Sequence, residues 1–155
     1  MTLSSAPSLP TIVDVRLVDL PKVADERGWL VVLEDARVAM AIRRVFSVHV
    51  DRASHRGDHA HRLCNQFLVC LGGRIEVVCD DGSARSHTVL DGPERGLFVP
   101  AGIWASQDYA DGSTLMVLCD QLYDAADYLR DYSGFLEYRG PGTARGGTPG
   151  QGEKE

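Results

Sequence analysis

Long apolar runs are missing. Nowhere in the 155 residues do about 18 apolar positions follow one another, the length a membrane-crossing helix requires. The first ten residues have no basic start leading into an apolar core, so they do not read as a secretory leader. The expectation is a cytoplasmic protein without a membrane partner. Positive charge is also short: sixteen Lys and Arg stand against 22 Asp and Glu, for a net charge of -6. A general nucleic-acid binder shows a basic excess or stripe, so nucleic acid is not an expected partner. A phosphorylated small molecule is not excluded, because a few placed arginines suffice for a diphosphate. The four cysteines, Cys64, Cys70, Cys79 and Cys119, include no pair at the two-residue spacing of a zinc or redox motif. Each lies in or beside an apolar stretch and reads as a small buried hydrophobe in a reducing compartment.

What the sequence does contain is short β-branched and aromatic runs separated by turn residues. The runs cover 12–20, 29–33, 42–50, 66–71, 74–79, 86–90, 96–99 and 114–119. Between them lie Asp25-Glu26-Arg27-Gly28, Gly72-Gly73, Asp80-Asp81-Gly82, Asp91-Gly92-Pro93 and Asp111-Gly112. That many short strands at this spacing predict an all-β sandwich or barrel. Asp80 and Asp81, followed by Gly82, read as a hairpin turn and not as a paired catalytic acid. The segment 124–135 is the single helical candidate, with Asp124 and Asp127 favouring its start. Residues 1–10 are polar and proline-broken. Residues 139–155 are rich in glycine and cannot repay the entropy of ordering. One domain over 11–138 is expected, with disordered ends.

The chemistry concentrates in Arg56-Gly57-Asp58-His59-Ala60-His61. On an extended strand, residues two apart share a face, so His59 and His61 project together. A bare pair of imidazoles serves as two metal ligands, as two proton-transfer groups, or as surface polarity.

The surroundings resemble the two motifs of the cupin superfamily. His59-x-His61 is followed by Gln66 and Gly73 at motif-one spacing, and Gly96, Pro100 and Gly102 fit motif two. The resemblance implies a double-stranded β-helix jelly roll. Metal-binding cupins carry a glutamate and a third histidine where this chain has Gln66 and Ala105. Two imidazoles fall short of the ligand count that a catalytic metal needs. No metal and no other cofactor is expected, and acid–base work becomes the leading role for the pair.

A narrower resemblance follows from further strings. Asp25-x-Arg27-Gly28, Ile42-Arg43-Arg44-Val45, Arg56-Gly-x-His59-Ala60-His61-Arg62, Gln66-Phe-Leu-Val, Gly96-Leu-x-Val-Pro100, Ile103-Trp104 and Tyr123-Asp-x-x-Asp127-Tyr128-Leu-Arg130-Asp131-Tyr132-x-x-Phe135 are similar to the nucleotide-sugar 3,4-ketoisomerases. It implies isomerisation of a dTDP-4-keto-6-deoxyglucose-type sugar to its 3-keto isomer through an enediol. His59 would be the principal base and His61 its partner. It also implies a homodimer, since dimers of the family exchange or share strands. In the family a tyrosine often follows Arg-Val in the strand before the His pair. Here that position is Phe46, with Ser47 or a water left to compensate. Residues matching Arg27 and Ala105 vary with the configuration of the product at C4, and this pair leaves it open.

For the diphosphate, Arg44 and Arg56 are the first candidates by position and Arg27 the third, because guanidinium forks match phosphate oxygens. Gln66 is expected to face the cavity and bond a sugar hydroxyl. Trp104 stacks on substrate or fills the core. The Tyr123–Tyr132 stretch reads most simply as a packing cap on the barrel, and His49, His55 and His87 have no motif around them. Two further functions stay open: a catalytically silent cupin that binds a nucleotide sugar, and a nucleotide-sugar epimerase.

Overall fold

The structure, a computed structural model, describes residues 8–141. Most of both expected disordered ends, 1–7 and 142–155, therefore lies outside the described residues. The strands are β1 (Arg16–Asp19), β2 (Lys22–Asp25), β3 (Gly28–Val31), β4 (Arg44–His49), β5 (Ser54–His61), β6 (Gln66–Gly72), β7 (Ile75–Asp80), β8 (Arg85–Leu90), β9 (Arg95–Val99), β10 (Trp104–Tyr109), β11 (Thr114–Cys119) and β12 (Tyr128–Leu129). Two short helices, α1 (Asp35–Val38) and α2 (Tyr132–Arg139), complete the list.

Two antiparallel five-stranded sheets form the body, in the orders β1-β9-β6-β11-β4 and β12-β5-β10-β7-β8. The expected jelly-roll arrangement is present. Their facing sides enclose Leu68, Cys70, Ile75, Val77, Cys79, Leu97, Leu115 and Val117. Strand β7 shows why the sequence chose this layer: Ile75, Val77 and Cys79 alternate inward, each at most 1 % exposed, while Glu76 and Val78 do not. Strand β6 is a continuous apolar run because both of its faces are covered. Leu68 and Cys70 enter the inter-sheet core, whereas Phe67 and Val69 pack outward with Val38, Met40 and Phe98. All four cysteines are buried and unpaired, as expected.

Beside Phe67 the backbone of β9 has to come close. A Cβ on Gly96 would lie 2.1 Å from the Phe67 ring, so only glycine fits opposite Val69.

The structure departs from the sequence reading in three places. The run at 12–20 begins with a 3-10 turn, Ile12–Asp14, and only Arg16–Asp19 pairs as strand. Asp14 accepts from Thr11 N at 2.8 Å and Asp81 accepts from Ile12 N at 2.8 Å, so local capping wins over extension. The helix expected over 124–135 is divided. Asp124 caps a 3-10 turn, Ala125–Asp127, the chain then extends as β12, and Asp131 caps α2 by accepting from Gly134 N at 2.9 Å. Third, β5 and β10 were not evident as core strands, because one carries mostly polar residues and the other only scattered apolar ones. The hairpin β2–β3 pairs only with itself and leaves Val23, Trp29 and Leu30 more than half exposed. No helix among the described residues is long and apolar enough to cross a membrane.

Candidate active site

The inner face of the barrel opens into a cavity of ≈ 240 Å³. Its walls come from β4 (Phe46, Val48), β5 (Arg56, Gly57, His59), β6 (Gln66, Leu68), β10 (Gln107, Tyr109), β11 (Leu115, Val117) and the β12 segment (Tyr128, Arg130). Three of the residues singled out from sequence, His59, Arg56 and Gln66, are therefore brought to one space.

His59 reaches the cavity through an irregular stretch of β5. Gly57 has φ 91 and Asp58 has φ 56, and the β10 partner shifts register between Ala105 and Ser106. A Cβ on Gly57 would sit 2.8 Å from the Ala105 carbonyl oxygen, so the bulge depends on glycine. His55 clamps it from outside, with Nδ1 2.7 Å from Asp108 Oδ1 and Nε2 2.8 Å from Asp58 Oδ2. Hydrogen bonding to Asp108, joined by Asp58, raises the His55 pKa above its ordinary value.

Burial lowers the pKa of His59, so its imidazole stays neutral and able to accept a proton near pH 7. His61 lies behind it, 5.1 Å away between ring centroids and edge-on, and does not line the cavity. Burial lowers the His61 pKa too, against the opposing pull of Asp127. His61 Nδ1 is 2.9 Å from Asp127 Oδ2. Asp127 already accepts from Leu63 N at 2.7 Å and from Cys64 N at 3.3 Å, so it also acts as acceptor toward the ring. The His61 proton therefore sits on Nδ1, and Nε2 is buried without a partner.

His61, Cys64 and Asp127 place donor atoms within 4.8 Å of one another, a spacing that would suit a metal ion. The carboxylate does not fit that task, because its two oxygens are engaged by two backbone N–H groups and the imidazole. Ala105, directly across from His59 on β10, brings no ligand atom to the cavity.

Gln66 is 9 % exposed, and its amide turns between the cavity and the Cys119 sulfur at 3.8 Å. Arg44 lies beside the cavity. Its Nη2 is 3.4 Å from Cys119 Sγ and its guanidinium stacks on Phe46 at 5.3 Å and Tyr123 at 5.6 Å. Hydrogen bonding from Cys64, with Arg44 and Gln66 alongside, holds the Cys119 thiol below the usual range.

Two expected binding residues lie elsewhere. Arg27 caps the exposed β2–β3 turn, its side chain 82 % exposed and paired with Asp25. Trp104 is half-buried and packs against Tyr132 at 5.2 Å and Phe135 at 5.5 Å, in a cluster with Ala60 and Leu129. Of the Tyr123–Tyr132 stretch, only part is a cap: the Tyr132 hydroxyl donates to Asp80 Oδ2 at 2.9 Å, whereas Tyr128 and Arg130 face the cavity. Sequence reasoning missed those two, and also Gln107, Tyr109 and Asp127. For Tyr128, Arg130 and Asp127 the signal was the dense Tyr/Asp/Arg spacing itself, too polar for a cap that only packs; Gln107 and Tyr109, on β10, carried none. Asp80 and Asp81 form the expected turn, accepting from the backbone N–H groups of Gly82, Ser83 and Ala84.

The family described as "FdtA: WxcM-like, C-terminal" matches residues 13–140. The chain belongs to this family. A relative of the FdtA-like chain, the TDP-4-oxo-6-deoxy-alpha-D-glucose-3,4-oxoisomerase of Aneurinibacillus thermoaerophilus, is 35% identical over 126 residues, covering 79% of this chain and 91% of that protein. Among solved structures, the WlaRB TDP-quinovose 3,4-ketoisomerase of Campylobacter jejuni is 32% identical with a TM-score of 0.77, over 81% of this chain and 99% of that one. A His-to-Asn variant of the 3,4-ketoisomerase QdtA from Thermoanaerobacterium thermosaccharolyticum, in complex with TDP-4-keto-6-deoxyglucose, superposes with a TM-score of 0.79. It is 27% identical, over 83% of this chain and 96% of that one.

Proposed function

We propose that this FdtA-like chain is an isomerase converting a TDP-linked 4-keto-6-deoxyhexose to its 3-keto isomer. The observation that carries the reading is His59: a neutral imidazole in a cavity that also presents arginines and an amide, within a family whose relatives are 3,4-ketoisomerases. His59 removes the proton from C3, the electrons pass to the C4 carbonyl as an enediol forms, and a proton returns to C4. A positioned imidazole suits both transfers because its two forms are close in energy near neutrality. Arg56 and Arg130 at the cavity wall, with Arg44 beside it, face the diphosphate, and Gln66 bonds a sugar oxygen. The step needs no external oxidant or reductant, since proton and electron movement balance within the sugar, and Ala105 and the engaged Asp127 carboxylate argue against a metal at this site.

The working form is a homodimer in the cytoplasm. Strand β4 is one of the two edges of its sheet, and the isolated hairpin β2–β3 exposes Val23, Trp29 and Leu30. A second copy covering these surfaces would give Arg27 a place at a substrate site.

Incubation with TDP-4-keto-6-deoxyglucose in deuterated buffer, followed by NMR, tests the reading. A 3-keto sugar carrying deuterium at C4 is the expected product. Substrate that binds but is recovered unchanged and undeuterated would make the chain a silent nucleotide-sugar binder.

A further inference from the structure

On a regular strand, residues three apart face opposite sides. Arg56 and His59 are three apart on β5, yet both line the cavity. The irregularity between them is what puts them in phase. Across the pair, Ala105 stands against His59 and Ser106 against Gly57, which leaves Asp58 without a partner on β10. Were that extra residue paired in, the arginine proposed for the phosphates and the proposed base would face away from each other. The bulge also touches the base itself, because the Gly57 backbone accepts a hydrogen bond from the His59 ring. One ring nitrogen is committed there, and the other is left to meet the sugar.

The bulge is strained at its extra residue. Asp58 takes φ 56, in the left-handed region where a residue other than glycine stays only if its surroundings hold it. His55 does the holding. Its Nε2 lies 2.8 Å from Asp58 Oδ2 and its Nδ1 2.7 Å from Asp108 Oδ1, so one imidazole ties the extra residue to the neighbouring strand. Both partners are carboxylates, which only accept, and two N–H donors belong to the imidazolium alone. A neutral ring keeps one bond and turns a lone pair on the other carboxylate. The charged groups that face His55 are Asp58 on its own strand and Asp108 on β10, each more than half exposed; β12, on the other side of β5, pairs only with Ala60 and His61. The trio lies on the outer face of the sheet, away from Gln107 and Tyr109, so His55 touches no substrate.

We propose that His55 is a positioning residue: as the imidazolium it locks the Gly57–Asp58 bulge to Asp108, and so holds His59 in the same cavity as Arg56. The inference rests on the ketoisomerase reading above. Hydrogen bonding to Asp108, joined by Asp58, favours the charged ring. The clamp is therefore complete below the ordinary histidine value and loses one bond as pH rises through the raised one. Turnover should decline on that alkaline side. Nucleotide binding should not, because Arg56 lies before the bulge, in register with Gln107.

The test sets the parent chain beside His55→Ala, which deletes both bonds, and His55→Gln, whose amide donates without titrating. Turnover of TDP-4-keto-6-deoxyglucose is followed from the neutral into the alkaline range, TDP affinity is measured by calorimetry, and the parent His55 ring is titrated by NMR. An exposed charged pair is worth up to about fivefold, and two such bonds hold the bulge, so kcat of His55→Ala near neutrality should fall about tenfold. His55→Gln should lie between it and the parent. The parent kcat should decline with the midpoint of the His55 titration, both variants should lack that alkaline limb, and TDP affinity should stay within about twofold. A His55→Ala chain that turns over within about twofold of the parent, or that keeps the alkaline limb, overturns the inference and leaves the ketoisomerase reading standing. Turnover and TDP affinity lost together assign His55 to the stability of the barrel and also overturn it. A parent chain that leaves the sugar unchanged sinks the ketoisomerase reading, and this inference with it.

Discussion

His59 and His61 are two residues apart on one strand, yet they occupy different surroundings. One meets the cavity; the other is 5 % exposed and bonded to a buried carboxylate. Replacing His59 with Asn should lower kcat by about two to four orders of magnitude, the usual worth of a positioned base, while TDP affinity by calorimetry stays near the parent value. Asp127→Asn should act in another way. Its amide cannot satisfy both backbone donors and the ring as the carboxylate does, so stability in a urea titration should drop by about 1.5–3 kcal/mol, the scale of a hydrogen bond to a charged group. Activity should fall as well, because the His61 tautomer is no longer set. Burial depresses the pKa of both histidines, so the unfolded chain binds more protons than the folded one as pH drops below the ordinary histidine value. Their contribution to stability is thus complete above that value and is lost as pH falls through the depressed folded values. A melting-temperature series should show a loss on the acid side, and kcat should fall with it.

Strand β9 and its neighbour β6 carry the tightest contact described. Gly96→Ala would drive a methyl into the Phe67 ring, and overpacking of this kind costs about 1–3 kcal/mol. Chemical denaturation should register that loss without a change in TDP affinity, since the ring lies on the face away from the cavity. Elements of this buried sort were legible in the sequence: β6, β7 and β11 have the apolar content that any reader of periodicity would find. Strands β5 and β10 were harder. Ser-His-Arg-Gly-Asp-His-Ala-His offers no apolar alternation because its inward positions serve the cavity instead of the core. The same trade explains the late chain. Tyr128 and Arg130 were visible as a string but not as a wall, since nothing local says that two residues of β12 will pair against the end of β5. The sequence reading also left Ser47 to make good the hydroxyl missing at Phe46. Alternation along β4 places Phe46 and Val48 on the cavity and Ser47 on the other face, exposed.

For the molecule as a whole, the motif spacing was enough to identify the barrel and to bring His59 to its cavity, while His61, expected beside it, lies behind it and Arg27 stands exposed on the β2–β3 turn. Under the homodimer proposed above, Trp29→Glu should convert a dimer to a monomer in light scattering and leave the monomer folded, because Trp29 is more than half exposed on a hairpin that pairs with neither sheet.

Strand β6 lies in the middle of its sheet with both faces covered, whereas β5 is bordered by the two-residue β12. The two walls of the cavity are therefore expected to open in different cooperative units. In amide hydrogen exchange, the β6 protons next to Gln66 should be released only by global unfolding, and those around His59 and Ala60 by a smaller opening in which β12 lifts away. On the ketoisomerase reading, the Gln66 wall should then be the slow-exchanging one and the His59 wall the one that opens, which is where a bulky nucleotide sugar would find room to enter.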